Sequence, residues 1–356
     1  MGIRVVSFTE KGMTLSVNVA EAFPDTDIAI VTKCSAGNER NTEVNIPYIK
    51  ERIGDWAKKQ LDEKHDLIFI GACGIAVRAI APWITDKLHD QAVLVMDENG
   101  NYVIPILSGH MGGANALAGK VAEEIGAVPV ITTATDLNDR FAVDLFAKRN
   151  GLYVENKDGI AKVSSRILSG KEIRMAVDPG HFAKPLRIPE GILLSEADKN
   201  AVEETDILVT VKDHEKGRLL TLRPKEYILG IGCKKGKEEE KIRSMVQKHM
   251  AELGITMEQI FAVASIDKKK EEPALAAWCR KHRIPFLTYT AGQLLQVEGS
   301  FSASEFVKEQ VGVDNVCERA ALCACRDGGS LVYKKHAEDG MTIAIAKREW
   351  RVGFDE

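Results

Sequence analysis

A chain of 356 residues with 45% hydrophobic content can bury more than one core, so more than one domain is expected. A formal net charge of −4 removes the main electrostatic reason to expect nucleic acid as a partner, and no apolar run is long enough to span a bilayer. Seven scattered cysteines, an odd number in mostly apolar surroundings, fit reduced thiols, and no basic-then-apolar leader opens the chain, so the expected compartment is the cytoplasm.

In chain order, residues 3–8 form the first strand-like run. Short apolar runs at 28–31 and 67–70 read as strands of a buried parallel sheet. Between them, residues 46–61 place Ile49, Ile53, Trp56 and Leu61 near one helical face. Strands follow at 92–96 and 128–131, with a helix over 113–125 between them, a βαβ pattern that predicts a mostly parallel sheet with covering helices. Residues 139–224 carry more charge, and strand-like pieces at 207–211 and 219–222 predict a hairpin closing on Glu215-Lys216-Gly217. A second α/β pattern begins at 227–231. It continues through a charged helix ending near Leu253-Gly254, a strand at 260–264, a helix through Trp278 and a strand near 285–288. The expected fold is α/β: two Rossmann-like parallel-sheet domains, 1–138 and 226–356, joined by a smaller α+β linking domain over 139–225.

Four loops fall where strands should end, and open α/β sheets gather ligands at the carboxyl ends of their strands. The first is Gly71-Ala72-Cys73-Gly74-Ile75-Ala76-Val77-Arg78. Gly71 and Gly74 permit a tight turn, and Arg78 can hold a carboxylate through two parallel hydrogen bonds, although a plain βα turn explains the same residues. Cys73 reads as a packing residue, with no partner that would make it a nucleophile.

The second loop is the densest: Ser108-Gly109-His110-Met111-Gly112-Gly113-Ala114-Asn115, after the apolar run 104–107. Three glycines let backbone N–H groups approach an anion at a helix N-terminus, and His110 can move a proton near neutral pH. No Gly-x-Ser-x-Gly elbow is present, so a serine-hydrolase triad is not supported. The third loop, Thr132-Thr133-Ala134-Thr135-Asp136, offers hydroxyls and a carboxylate for ligand oxygens or for helix capping. The fourth, Gly230-Ile231-Gly232-Cys233-Lys234-Lys235-Gly236, follows a strand and opens a helix, so its amides can cradle an anion. As a dinucleotide fingerprint it is loose, because the acidic residue that should close the next strand comes only at Asp267. Ser265 and Asp267, in Ala264-Ser265-Ile266-Asp267-Lys268, end that strand. Cys317, Cys323 and Cys325 match no zinc spacing and read as core. His181, His214 and His336 stand outside any motif.

With these motifs the chain resembles the cobalamin-biosynthesis family CbiG, the cobalt-precorrin-5A hydrolases. The resemblance rests on GACGIAVRAIA at 71–81, IPILSGHMGGANALA at 104–118, VITTATD at 130–136 and GIGCKKG at 230–236. ASIDK at 264–268 and the alanine-rich stretch around 320–322 add to it. It implies an enzyme of anaerobic cobalamin synthesis acting on a cobalt-bearing macrocycle with acetate and propionate arms. That enzyme opens the δ-lactone between ring A and C20 and releases the C20 fragment as acetaldehyde. The cobalt arrives with the substrate, so no cofactor and no metal held by the protein is required.

The residues suit that chemistry. His110 is the expected general base or acid, with Ser108 and Asp136 as further catalytic candidates. The amides of Gly109, Gly112 and Gly113, with Ser108 or Asn115, are expected to bind an oxyanion or a carboxylate, with Thr133 and Thr135 lining the opposite wall. Gly71, Gly74, Arg78, Gly232, Lys234, Lys235, Ser265 and Asp267 complete the expected substrate contacts. The main competing reading is a non-catalytic tetrapyrrole carrier for a partner enzyme; a nicotinamide-dependent reductase using the 230–236 turn is another. Homo-oligomer formation and transient contact with neighbouring pathway enzymes are left open.

Overall fold

The computed structural model describes residues 2–35, 46–86, 89–133, 140–198, 205–213, 219–326 and 328–354, with the backbone alone at 306. The chain is a mixed α/β fold with two mostly parallel sheets and a third that is half antiparallel, in two compact units, Met1–Arg140 and Phe141–Glu356.

The first unit runs β1 (Ile3–Ser7), α1 (Glu10–Glu21), β2 (Ile28–Thr32), α2 (Ile53–Asp62), β3 (Asp66–Ile70) and α3 (Cys73–Ile80). It continues with β4 (Val93–Met96), β5 (Tyr102–Leu107), α4 (Ala114–Ile125) and β6 (Val128–Pro129). Its sheet has the order β2-β1-β3-β4-β5-β6. Every residue of β3 and β4 is buried, because helices cover both faces. Val19 of α1 and Ala114, Ala118, Val121 and Ala122 of α4 pack on one face. On the other lie Trp56, Ala57 and Leu61 of α2 with Ala76, Ala79 and Ile80 of α3.

Three expectations change here. The helix over 46–61 begins only at Ile53. Pro47 offers no N–H, and Tyr48 instead bridges Thr32 while the Ile49 amide donates to the Thr32 carbonyl. The strand over 128–131 shortens to Val128–Pro129, both exposed at the sheet edge, where a proline loses no ladder bond. The third change concerns direction. β5 runs antiparallel to β4, with Leu107 opposite Val93, and β6 runs parallel to β5.

In the second unit, α5 (Val143–Arg149), β7 (Leu152–Val154), α6 (Asp158–Leu168), β8 (Ile173–Val177), β9 (Ile192–Glu196), β10 (Ile207–Val209) and β11 (Leu220–Pro224) build a middle sheet ordered β7-β11-β10-β8-β9. Only β7 is antiparallel to its neighbour. The expected hairpin over 207–222 is therefore a parallel pair, Ile207 beside Leu220 and Val209 beside Leu222. Ile207, Leu208 and Val209 are all fully buried, the mark of a central strand covered on both faces rather than a half-exposed hairpin arm. The proposed turn at 215–217 lies outside the described residues.

The last sheet is formed by β12 (Tyr227–Cys233), α7 (Glu239–Glu252), β13 (Ile260–Ile266), α8 (Pro273–His282), β14 (Phe286–Tyr289), α9 (Ala291–Leu295), α10 (Glu305–Val311), α11 (Cys317–Cys323), β15 (Gly329–Glu338) and β16 (Met341–Arg348). Its order is β14-β13-β12-β16-β15, with the unforeseen hairpin β15–β16 completing one side. Beyond β16 the chain returns to the middle sheet. The His181 and Trp350 rings stack at 3.8 Å, Val352 bridges Phe182, Asn150 and Gly353 exchange two hydrogen bonds, and Phe354 stacks on Phe146. Among the described residues no helix is long and apolar enough to cross a membrane.

Candidate active site

The turn between β5 and α4 is held in an unusual shape. Ser108 sits at φ +58°, a left-handed conformation that an L-residue adopts only when its surroundings enforce it. Its carbonyl accepts from the Ala114 amide at 3.0 Å, and the Gly109 carbonyl accepts from the Asn115 amide at 3.0 Å. Gly112 then passes so close that a Cβ there would lie 2.3 Å from the Ser108 Cβ and 3.0 Å from the Asp90 carbonyl oxygen. Asp90 is itself fixed, its carboxylate accepting from the Thr85 and Asp86 amides and the Thr85 hydroxyl.

Two polar resources follow from this shape. The Ser108 hydroxyl is buried with no hydrogen-bond partner among the described residues, a state that costs about 1–3 kcal/mol when nothing compensates. The amides of Gly109, Gly112 and Gly113 donate to no acceptor among the described residues, and they lie just ahead of a twelve-residue helix whose N-terminal dipole favours an anion. His110 is half-buried between them in sequence. Asn115 is buried, and its Nδ2 donates to the Thr133 hydroxyl at 3.0 Å, joining the turn to the segment after β6. Thr135 and Asp136 lie outside the described residues.

Not all the expected loops converge. Because β5 is reversed, the 108–113 turn hangs beside the start of β4, whereas the Gly71 amide donates to the Met96 carbonyl at the end of β4. The two turns therefore sit at opposite ends of that strand, about 10 Å apart along it. The reading that placed both at the same sheet end is corrected on this point. Gly74 and Arg78 are exposed on α3, the guanidinium folded back towards Gly74. Arg78 shares a cleft of about 510 Å³ with Arg52, Gly54, Asp55 and Trp83. Neither Arg52 nor Arg78 makes an ion pair or side-chain hydrogen bond among the described residues. Arg52 was missed from sequence because no motif surrounds it.

In the second unit the fourth loop is built differently from expectation. Gly230 and Gly232 lie inside β12 rather than in a helix-opening turn, and Gly230 is small because α11 presses on it. Ser265 is fully buried and its hydroxyl donates to the Ile231 carbonyl at 2.6 Å, so it is closed to a ligand. The Gly236 amide donates at 2.8 Å to the chain's own Glu272, which also pairs with Lys269 at 2.9 Å. Burial opposes ionisation of Glu272, but the Lys269 ammonium and the Gly236 amide outweigh it and hold the carboxyl below its usual range. Lys234, Lys235 and Asp267 are exposed at the carboxyl ends of β12 and β13. Burial pushes the Cys279 thiol up to about 12 and those of Cys317 and Cys325 up to about 11, as packed, unreactive sulfurs require.

These features define an α/β protein with a strained glycine turn that offers free amides, a buried hydroxyl and an imidazole at a helix N-terminus. The chain belongs to the cobalamin synthesis G family. Family models described as Cobalamin synthesis G N-terminal, Cobalamin biosynthesis central region and Cobalamin synthesis G C-terminus match residues 55–136, 141–224 and 227–346. A protein from Priestia megaterium named cobalt-precorrin-5A hydrolase is 32% identical, the match covering 96% of this chain and 94% of the relative. One of the same name from Salmonella typhimurium is 31% identical over 96% of this chain and 97% of its own length. A probable cobalt-precorrin-5A hydrolase from Methanocaldococcus jannaschii is 29% identical, covering 78% and 84%.

Proposed function

We propose that this chain hydrolyses cobalt-precorrin-5A, opening its ring A δ-lactone and releasing the C20 fragment as acetaldehyde to give cobalt-precorrin-5B. The observation that carries this reading is the 108–113 turn, in a chain that matches hydrolases of that name nearly end to end. Water adds to the lactone carbonyl as the His110 imidazole takes one of its protons, and the oxyanion is met by the amides of Gly112 and Gly113 with the Ser108 hydroxyl. Collapse breaks the ring C–O bond, leaving on ring A a carboxylic acid that ionises to solvent, while His110 returns the proton to the C20 oxygen. Removal of that hydroxyl proton then forms the aldehyde C=O. The C20–macrocycle bond breaks, and its electron pair passes to the macrocycle, which takes up a proton. Asn115 and Thr133 act as positioning residues, holding the turn against the segment after β6. The cobalt is part of the substrate, and the reaction as written needs no cofactor of the protein's own.

Anaerobic incubation with cobalt-precorrin-5A tests the proposal, with mass spectrometry of the macrocycle and chemical trapping of the aldehyde. Enzyme-dependent loss of two carbons together with acetaldehyde supports it; tight binding without conversion would make the chain a carrier instead. The Arg52–Arg78 cleft, away from the turn, suits a carboxylate arm. Arg78→Gln is accordingly expected to raise KM several-fold more than it lowers kcat in steady-state assays. The reverse split would bring the chemistry to the cleft.

A further inference from the structure

Outside the proposed active site, α7 and the edge strand β15 bring together two histidines and a glutamate. One potential ligand atom from each of His249, His336 and Glu338 lies within 4.8 Å of the others. His249 Nε2 is 3.8 Å from one Glu338 oxygen, His336 Nε2 is 3.5 Å from the other, and the two imidazole rings are 4.5 Å apart.

Hydrogen bonding sets the state of His249. Its ring is 1% exposed, and its Nδ1 lies 2.8 Å from the Tyr333 hydroxyl oxygen. Tyr333 donates its single proton to Glu252 at 3.0 Å, so the tyrosine oxygen is left to accept, and Nδ1 carries the hydrogen. Nε2 is buried, has no hydrogen-bond partner among the described residues and lies 3.8 Å from a Glu338 oxygen, on the side where a bound cation would be met. The Glu252 carboxylate, 3.3 Å from Nδ1 and also bonded to Tyr333, is the kind of outer support that metal-ligating imidazoles ordinarily have.

The strand is shaped for the same purpose. Strict alternation would put Tyr333 on the face opposite His336 and Glu338. Register irregularities between Leu331 and Tyr333 and between Tyr333 and His336 break the alternation. Leu331 packs on the α11 side of the sheet, whereas Tyr333 joins the core on the α7 side, where both His336 and Glu338 meet His249. Bulges of this kind re-aim side chains at sites.

We propose that His249, His336 and Glu338 form a site for a late first-row divalent cation, Zn²⁺ by its two-imidazole, one-carboxylate donor set, with a fourth position open to solvent. His336 and Glu338 are partly exposed, which gives the ion a way in. Lys248, exposed and 2.7 Å from Glu338, is the cation that the ion displaces. The bound ion would clip the edge strand to α7.

The test uses the full chain stripped with a chelator. Calorimetric titration with Zn²⁺ is expected to show one site, and Co²⁺ in its place to give the intense visible bands of a four-coordinate ion without thiolate charge transfer. His336→Ala and Glu338→Gln change partly exposed residues and should fold, as circular dichroism will check. Each is expected to weaken Zn²⁺ binding by more than about tenfold and to abolish the Zn²⁺-dependent rise in Tm seen with the parent chain. Absence of binding by the parent chain, a thiolate charge-transfer band, or unchanged affinity in both variants would overturn the proposal.

Discussion

His110→Gln is expected to leave the chain folded and to lower kcat/KM for cobalt-precorrin-5A by about two to four orders of magnitude, the range that general acid–base groups supply. The side chain is half-buried in a turn whose shape is held by the Ser108 and Gly109 carbonyls and by the Gly112 contact, and circular dichroism checks that the variant keeps its fold. Glutamine keeps a polar group of similar reach and cannot titrate near neutrality. The diagnostic readout is the pH profile of kcat/KM. The parent enzyme should show an ionisation in the imidazole range, and the variant should lose it. Near-parent turnover by a folded variant would place the base on another residue.

The second large effect concerns stability. Gly230 lies on the central strand β12, and a Cβ there would stand 1.8 Å from the Cys317 carbonyl oxygen and 3.0 Å from the Ala321 Cβ. The helix α11 sits this close because Ala320 and Ala321 on its inward side, and Ala324 just after it, meet Ala264 and Ala346 of the sheet. One methyl at Gly230 would lift the whole helix off that surface, and helix backbone cannot turn aside as a side chain can. Gly230→Ala is expected to destabilise the chain by about 3 kcal/mol, at the upper end of overpacking effects, in urea unfolding. Gly119→Ala is the control. It lies in α4 with nothing within 4 Å of the added atom, and should stabilise by about 0.5–1 kcal/mol through the unfolded state. A neutral Gly230→Ala would mean that the helix seats more loosely than the contact implies.

Much of this organisation is legible in the chain because burial leaves local marks. The apolar runs of β3, β4, β12 and β13 announce strands buried on both faces, and the clustered glycines of 109–113 announce a turn with accessible backbone amides. Strand direction leaves no such mark: the run ending at Leu107 reads the same in either sense, so the reversal of β5 and the separation of the Gly71 and Ser108 turns are visible only in space. Gly230-Ile231-Gly232 misleads for a related reason. Glycine serves close approach of any kind, and here the approaching body is a helix of the same chain. The His249–His336–Glu338 cluster was unreadable because its members come from two distant elements and depend on a shift in register that side-chain pattern does not reveal.

The return of the chain to the middle sheet after β16 bears on how the molecule is made. Asn150 and Gly353, bonded to each other in both directions, are 203 positions apart, and Trp350 reaches its His181 partner across 169. During synthesis the strands of 152–224 emerge well before the segment that covers them, so His181, Phe182 and the Phe146 ring wait uncovered while the last sheet is translated. These contacts can form only once the last residues are made, and pairings of such sequence separation cost more loop-closure entropy than local ones. Until that segment arrives, the aromatic surface it covers is of the kind that promotes association between chains.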